Sequence, residues 1–287
     1  MISSLPWWAK LSGKLVLARL PISYDFWRRV GLFRHGEMNH PQRAIATFAN
    51  YYNQALKYRQ LGKGFHSLEV GPGDSILSGI VARAYGASEA WLVDAGNFAD
   101  TSVEACKETV SLLAKEGKQC PDIENAATLH DVLKQTNVNY LINGTQSLAT
   151  IPDETIDFFW SQVVLEHVPL KEFPKFLKEL RRVVSPDAIG VHSIDFRDHL
   201  SGGLNNLRFS EQTWESDFFR NSGFYTNRIR PNQMINLFKE AGFKIESLKE
   251  TRWPSTPIDR RSLATSFSHL PDDELQIAEI EIVIRPI

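Results

Sequence analysis

Residues 65–75 read FHSLEVGPGDS, a short apolar run that ends in a turn with two glycines. Apolar residues then recur at helical spacing, at Ile76, Leu77, Ile80, Val81 and Ala84. A strand, a tight glycine turn and a helix form the first unit of a doubly wound α/β sheet. Glycines suit such a turn because the backbone can bend sharply and approach a ligand with no Cβ in the way.

The residues around this turn distinguish two classes of ligand. A dinucleotide fingerprint needs a third glycine, at the position that Ile76 occupies here, so that match fails. Glu69 instead precedes the first glycine by two residues, where it would attract a cationic ligand and repel a pyrophosphate. The turn therefore favours a cationic, nucleotide-like ligand.

A second apolar run, residues 90–93, ends in Asp94, which lies 94 − 71 = 23 positions after the first glycine. A carboxylate about 20 residues on, at the end of the second strand, can bind both ribose hydroxyls. The alternative is that Asp94 caps the following helix. We favour the ribose interpretation because of the preceding turn.

Further apolar runs continue the strand–helix alternation. We predict a helix over residues 44–60, a third strand over 138–142, and a fourth strand that starts after 151 and ends at Ser161 and Gln162. The segment VVLEHV (163–168) follows, then a helix through Phe173 and Val183. We expect residues 185–187, Ser-Pro-Asp, to break that helix before a fifth strand over 188–195.

This succession over residues 64–196 resembles the class I S-adenosylmethionine-dependent methyltransferases, in particular the broad methyltransferase type 11-like group with V-L-E-H-V after the fourth strand. Residues 241–245 and 276–285 look like that family's sixth strand and its closing antiparallel strand. The resemblance implies a doubly wound, seven-stranded Rossmann-like sheet, methyltransferase activity and S-adenosyl-L-methionine as cofactor. The methyltransferase domain would span residues 44–287, after a helical amino-terminal extension over residues 1–43.

The resemblance also implies a set of cofactor-binding residues. Glu69, Gly71, Pro72 and Gly73 would border the methionine part, Asp94 the ribose, Ala95, Thr145 and Gln146 the adenine, and Ser161 and Gln162 would lie under the sulfonium. Thr145 and Gln146 stand where the family often has Asp-Ala, so Gln146 would have to supply the contact to the adenine amino group. Ser75 replaces the third glycine of the family pattern with another small residue.

The acceptor is expected beyond the fifth strand, because ligands of such sheets bind at the carboxyl ends of the strands. Asp195, Asp198 and His199 lie within five residues there. We predict that His199 is the base for an acceptor hydroxyl, with Asp195 or Asp198 orienting it. Two alternatives stay open: the carboxylates hold a divalent cation, or the loop simply caps the next helix. His167 is a further catalytic candidate, although its family role is packing, and His192 is expected in the core.

A lid is predicted over residues 197–232, a stretch longer than a simple connection and rich in aromatic and arginine side chains. Phe218 and Phe219 are its expected core residues. Aromatic faces suit sugar rings, so the preferred function is O-methylation of a small-molecule or glycan hydroxyl, including a lipid-linked sugar. The alternatives are an N- or C-methyltransferase and a non-catalytic scaffold. The net charge of 32 − 34 = −2 argues against a nucleic-acid substrate.

The amino terminus combines tryptophans with cations. On a helix, Trp8, Leu11 and Leu15 share one face, and Lys10 and Lys14 another. Residues 1–30 would then either contact an anionic membrane surface peripherally or pack on the main domain with their cations in water. The composition, with two cysteines, no cleavable signal and no apolar run of about 18 residues, predicts a cytoplasmic protein. The sequence leaves the oligomeric state open.

Overall fold

The structure, a computed structural model, describes residues 6–17 and 38–287. Its strands in these residues are β1 (His66–Val70), β2 (Glu89–Val93), β3 (Val138–Leu141), β4 (Ile156–Gln162), β5 (Val184–Asp195), β6 (Phe243–Arg252) and β7 (Ile277–Pro286). They form one sheet in the order β3-β2-β1-β4-β5-β7-β6. The strands from β3 to β5 pair in parallel, and β7 runs antiparallel between β5 and β6. The predicted seven-stranded, doubly wound α/β sheet is confirmed.

Helices flank the sheet. They are α1 (Trp7–Leu17), α2 (Pro41–Leu56), α3 (Leu77–Ala84), α4 (Val103–Lys115), α5 (Leu129–Thr136), α6 (Thr145–Leu148), α7 (Phe173–Val183), α8 (Glu211–Trp214), α9 (Asp217–Arg220), α10 (Pro231–Glu240) and α11 (Asp272–Leu275). Proline starts α2 at a position where a helix needs no backbone N–H donor. This helix begins three residues before the predicted boundary at residue 44, and it ends at Leu56 rather than near residue 60.

Alternating side chains of β4 pack into two hydrophobic cores, one on each face of the sheet. Phe158 and Trp160 pack with α2 and α3, whereas Phe159 packs on the opposite face with α7 and α10. All three aromatic side chains are buried. The central strand is thereby held from both sides, and its carboxyl end has a fixed position.

Strand β5 begins earlier than the sequence suggests. Helix α7 ends at Val183, and β5 starts at Val184, so the expected break over residues 185–187 is wrong. The pairing with β4 shifts register between Ile156 and Phe158, opposite these residues. A proline is tolerated in a strand at such an irregularity because no ladder hydrogen bond is lost there.

Helix α1 packs on the segment that follows β5. Trp7, Leu11 and Leu15 lie in one apolar cluster with residues of that segment, among them Trp214 and Phe219. Trp8, expected on the same face, is instead 59% exposed, because the packed face repeats every four residues from Trp7. Phe218, expected in the core, is likewise 51% exposed, and only its neighbour Phe219 is buried.

Part of the predicted extension lies outside the described residues. This holds for residues 1–5 and 18–37, which include the Phe-Trp-Arg-Arg stretch at 26–29 and most of the expected membrane-contacting segment 1–30. Across residues 6–17 and 38–287, no helix is both long enough and apolar enough to cross a bilayer.

Candidate active site

The glycine turn after β1 is closely packed. Gly71 and Gly73 have φ values of +74° and +68°, a region that side-chain-bearing residues rarely adopt. A Cβ on Gly71 would lie 2.4 Å from Cγ2 of Val164, in the segment that follows β4. The turn and the end of β4 therefore touch, and there is no room for a side chain between them.

Asp94 lies at the end of β2, beside this turn. Its Oδ2 accepts a hydrogen bond from the Gly73 N–H at 2.9 Å, and its Oδ1 accepts one from the Ala95 N–H at 2.7 Å. Burial raises the pKa of Asp94, and these two hydrogen bonds partly offset the effect. The alternative role as a helix cap is wrong, because Ser102 caps α4 by accepting from the Ala105 N–H. The carboxylate is thus held at the ligand edge of the sheet, where the ribose prediction requires it.

Glu69 is buried beneath the glycine turn. Its side chain is only 4% exposed and accepts a hydrogen bond from the Ser78 hydroxyl of α3. Burial raises the pKa of Glu69 to about 8, with Ser78 acting in the opposite direction. In this structure Glu69 ties β1 to α3 beneath the turn.

The loop after β3 contacts the end of β2 at Asp94 and Ala95. The Gly144 N–H donates to the Asp94 carbonyl at 2.8 Å, and a Cβ on Gly144 would lie 3.7 Å from Cα of Ala95. Thr145 begins α6 directly after this contact, and Gln146 is exposed. The structure therefore brings Gly144, which precedes Thr145 and Gln146 in the chain, next to Ala95.

Residues just before α2 cover the turn from outside. The Met38 N–H donates to Asp74 Oδ1 at 3.3 Å, and the Thr101 hydroxyl donates to Asn39 Oδ1 at 2.8 Å. Thr101 also accepts from the Ile76 N–H at 3.0 Å. Sequence reasoning missed Asn39 and Thr101, since neither belongs to a motif and they are far apart in the chain.

The end of β4 is strained. Val163 has a φ of +46°, which is unfavourable for a β-branched residue, and its N–H donates to the Ser193 carbonyl at 3.0 Å. Backbone strain of this kind is often found at ligand sites. It directs the chain so that Val164 reaches Gly71.

Ser161 and Gln162 point to opposite faces of the sheet. The Ser161 hydroxyl shares a 2.7 Å hydrogen bond with Nδ1 of His192, and both side chains are fully buried. Ser161 therefore does not present its hydroxyl at the strand end, contrary to the expectation that it lies under the sulfonium. His192 is a core residue, as predicted, and burial lowers its pKa to about 3.

Gln162 lines a cavity of about 380 Å³ between α2 and the sheet. The lining residues are Ala46, Thr47, Asn50, Tyr51, Gln162, Val163, Ser193, Glu279 and Glu281. The hydroxyl groups of Tyr51 and Ser193 are 2.6 Å apart across its floor. Burial raises the pKa of Tyr51 far above its ordinary value, so this hydroxyl stays protonated. The cavity thus offers hydroxyl, amide and carboxylate groups beside Val163, which precedes the residue that contacts the glycine turn.

The carboxylates after β5 do not orient His199. Asp195 Oδ1 accepts from both the backbone N–H and Nε of Arg197, each at 2.8 Å, and Arg197 also pairs with Glu279 at 2.6 Å. Asp198 accepts from backbone N–H groups of its own loop, at Leu200, Ser201, Gly202 and Asn205. Asp198 therefore shapes a loop, as the capping alternative proposed. The prediction that Asp195 or Asp198 hydrogen-bonds to His199 is wrong.

His199 instead contacts His167. The two Nε2 atoms are 3.2 Å apart, and the ring planes are inclined by 16° with centroids 4.9 Å apart. Crowding by surrounding protein atoms lowers the pKa of His167 to about 4 and also lowers that of His199. Lys14 of α1 donates to the His199 carbonyl at 2.8 Å, so this lysine is not simply in water as expected. His167 is thus part of the rim beyond β5.

Glu166 is a further carboxyl group at this rim. It is 3% exposed, neither of its side-chain oxygens has a hydrogen-bond partner, and burial raises its pKa well above the ordinary value. Among the charged groups, Asp195 contributes most to the raised pKa of Glu166, followed by Glu279. Within the described ranges, no group of three His, Cys, Asp or Glu side chains is arranged to hold a metal ion.

Comparisons with known proteins bear on this arrangement. Residues 68–191, less than half of the chain, match the family described as "Methyltransferase domain". Among solved structures, an S-adenosylmethionine-dependent methyltransferase from Mesorhizobium loti has 15% identity and a TM-score of 0.46, over 82% of this chain and 96% of its own. One from Methanosarcina mazei has 14% identity and a TM-score of 0.45, over 81% of this chain and 97% of its own. No curated protein sequence matches the chain significantly.

The family match spans the elements that build the site on the donor side. It begins in β1, contains the glycine turn, Asp94 and the end of β4, and ends in β5. Over residues 68–191 the chain is therefore similar to the family described as "Methyltransferase domain".

Proposed function

We propose that this enzyme methylates a hydroxyl group of a small polar acceptor, with a sugar, free or lipid-linked, as the preferred class. The observation that carries the proposal is the cavity between α2 and the carboxyl ends of β4 and β5. It lies beside Val163, whose neighbour Val164 contacts the glycine turn. A donor at the turn and an acceptor in the cavity would therefore meet at the end of β4.

The cavity suits a molecule with many hydroxyl groups. Its volume of about 380 Å³ lies within the range of small-ligand pockets, roughly 300–1,000 Å³. Thr47, Asn50, Tyr51 and Gln162 contribute hydroxyl and amide groups that both donate and accept hydrogen bonds. A sugar ring presents the same two kinds of group, so each of its hydroxyls can find a partner there.

The residues on the donor side fit S-adenosyl-L-methionine. Gly71 and Gly73 give the turn a backbone conformation with φ values of +74° and +68°, and the family pattern puts the methionine part of the cofactor at this turn. Asp94 would hold the ribose, and Ala95 and Gln146 would border the adenine. When bound, the cofactor supplies a methyl group already activated on a sulfonium, so the protein's remaining tasks are to align the acceptor and to accept its proton.

His199 is the proposed proton acceptor. Burial keeps its pKa below the ordinary value, so the ring is neutral at pH 7 and can take a proton. It lies two residues beyond Arg197, which pairs with Glu279 of the cavity wall. We therefore expect His199 to lie near the rim of the acceptor site.

One observation favours a second candidate, N-methylation of an amine. Glu279 and Glu281 both line the cavity, and carboxylates attract a protonated amine. Glu279 is neutralised by Arg197 at 2.6 Å, which weakens this alternative. C-methylation has no such support from the residues of the cavity.

Product analysis tests the proposal. The enzyme is incubated with methyl-¹³C-labelled S-adenosyl-L-methionine and panels of sugars, other alcohols and amines, and the chemical shift of the transferred carbon identifies the atom that receives it. We expect a methyl ether. Label on nitrogen or carbon would reject O-methylation.

Two matched asparagines on α2 test the acceptor site. Asn50 lines the cavity, whereas Asn53 is exposed on the same helix outside the cavity lining. Asn50→Leu should raise the acceptor KM at least tenfold and leave cofactor affinity unchanged, because it removes a hydrogen-bonding group from the acceptor site only. Asn53→Leu should change neither. Equal kinetics of the two variants would show that the acceptor binds elsewhere.

Both cysteines of the chain, Cys106 and Cys120, are free thiols in the structure. Free thiols are typical of a reducing compartment. We infer that the enzyme works in the cytoplasm, on an acceptor present there.

A further inference from the structure

Two histidines from distant parts of the chain form a hydrogen-bonded pair at the rim of the site. His167 ends the 3₁₀ turn Leu165–His167 after β4, and His199 follows β5, 32 residues later. Their Nε2 atoms are 3.2 Å apart. One of these nitrogens must donate and the other must accept, because two bare nitrogens would repel each other.

A third group decides which nitrogen donates. Nδ1 of His167 lies 2.9 Å from the carbonyl oxygen of Tyr225, and a carbonyl oxygen can only accept. Nδ1 of His167 therefore carries a hydrogen. A neutral imidazole has one N–H, so Nε2 of His167 is the accepting nitrogen. Nε2 of His199 must then be the donor, and Nδ1 of neutral His199 is left without a hydrogen.

This assignment of hydrogens to the two rings requires that His167 is neutral. Desolvation by the surrounding protein atoms lowers the pKa of His167, and the neighbouring His199 acts in the same direction. At pH 7 His167 therefore carries one hydrogen, which the Tyr225 carbonyl holds on Nδ1.

We propose that His167 is a positioning residue that holds His199 in its Nε2–H form, so that Nδ1 of His199 is the atom that accepts the proton of the acceptor. The statement about the proton rests on the proposed function, whereas the hydrogen positions on the two rings do not. In the transfer, the acceptor oxygen gives its proton to Nδ1 of His199 and forms a bond to the methyl carbon, whose former bonding pair stays on the donor sulfur. The His199 imidazolium keeps its Nε2–H bond to His167 throughout.

The charges around the pair balance one another. The charged and titratable groups that act on His199 are Asp195 and Asp198, which favour its protonated form, and Lys14 and Arg197, which disfavour it. His167 is acted on by His199 and Asp195. Charges of both signs thus surround His199. The neutral Nε2 of His167 is the atom that accepts the hydrogen bond from the Nε2–H of His199.

Nuclear magnetic resonance reads the hydrogen positions directly. Long-range ¹H–¹⁵N correlation spectra of the full chain with ¹⁵N-labelled histidine distinguish protonated from bare ring nitrogens, and the variants His167→Gln and His199→Gln assign the signals. At pH 7 we expect a proton on Nδ1 of His167 and on Nε2 of His199. A proton on Nδ1 of His199, or on Nε2 of His167, would overturn the inference, whatever the enzyme methylates.

Kinetics test whether the pair matters for turnover. In His167→Leu the partner of His199 Nε2–H is lost, so kcat should fall about 10- to 100-fold with cofactor affinity unchanged. The acid limb of the kcat profile should also move to lower pH by about one unit, because the imidazolium loses its acceptor. His167→Gln, whose Oε1 can accept from Nε2–H, should recover part of the loss.

A matched control is His130→Leu, since His130 is an exposed histidine of α5 outside the site. It should leave both kcat and the pH profile unchanged. If His167→Leu and His167→Gln lose the same activity with no movement of the acid limb, or if cofactor affinity falls in parallel with kcat, His167 is only a structural residue. Methyl transfer to an amine instead of a hydroxyl would reject the proposed function. The hydrogen positions on His167 and His199 would still be tested separately by the magnetic resonance experiment.

Discussion

Replacing Gly71 with alanine tests whether the contact between the glycine turn and Val164 supports the donor site. Two costs are expected. The φ of +74° costs an alanine about 1–2 kcal/mol. The new Cβ would lie 2.4 and 2.5 Å from the two Cγ atoms of Val164, and overpacking of this kind costs about 1–3 kcal/mol.

Gly117 separates the two costs. Its φ is +77°, but a Cβ there would meet nothing within 4 Å. Gly117→Ala should therefore lower the free energy of unfolding by the backbone term alone, about 1–2 kcal/mol, and Gly71→Ala by the sum of both terms. Urea unfolding measures the difference. Calorimetry should show at least tenfold weaker cofactor binding for Gly71→Ala and no change for Gly117→Ala.

A double-mutant cycle isolates the clash itself. Val164→Ala removes both Cγ atoms and leaves the Val164 Cβ, which would be 3.0 Å from the new methyl group. The double variant should be more stable than the sum of the single changes predicts, by about 1 kcal/mol or more. Additive changes, or equal destabilisation of the Gly71 and Gly117 variants, would refute the steric argument.

Three further predictions follow from the site and the amino terminus. Asp94→Ala should weaken cofactor binding at least tenfold in calorimetry, since contacts to a charged group contribute about 1.5–3 kcal/mol each. Unchanged affinity would show that the ribose does not bind to Asp94. Glu69 has a folded pKa of about 8, so the native state binds the extra proton, and stability should fall as pH rises from about 4.5 to 8, by up to about 1.4 kcal/mol per pH unit. Glu69→Gln should flatten that slope in urea titrations, and an unchanged slope would refute the assignment. If residues 1–30 contact a membrane peripherally, the chain that lacks them should float less with liposomes than the full chain. Trp8→Ser, which leaves the packed face of α1 intact, should also float less. Equal flotation of the full chain and both variants would contradict membrane contact.

The first βα unit could be predicted because its signals are local. The short apolar run of β1, the glycines at φ values only they adopt easily, and the helical period after Ile76 all lie within 20 residues. Asp94 follows from the same pattern at a fixed spacing. For such elements, local propensity and tertiary packing require the same residues.

The rim beyond β5 could not be predicted, because its partners depend on tertiary structure. Nothing in the sequence indicates that His199 meets His167 rather than Asp195, since the contact forms only when the ends of β4 and β5 lie side by side. The side chain of Asp198 caps its own loop, and an acid near a histidine looks the same in either role. The burial of side chains on very short helices is equally hard to predict. In α9, a rotation of the helix by one residue decides whether Phe218 or Phe219 is buried.

The position of β7 has a consequence for how the molecule assembles during synthesis. β6 is an edge strand of the described sheet and bonds to β7, and β7 also supplies Glu279 and Glu281 to the cavity wall. Until residues 277–286 leave the ribosome, β5 and β6 both present unpaired backbone groups, the kind of edge that associates with other chains. The nascent protein therefore passes through a stage in which strands β1 to β4 can be fully paired while β5 and β6 still have open edges that are prone to aggregate. A truncation before residue 277 would hold the chain at that stage.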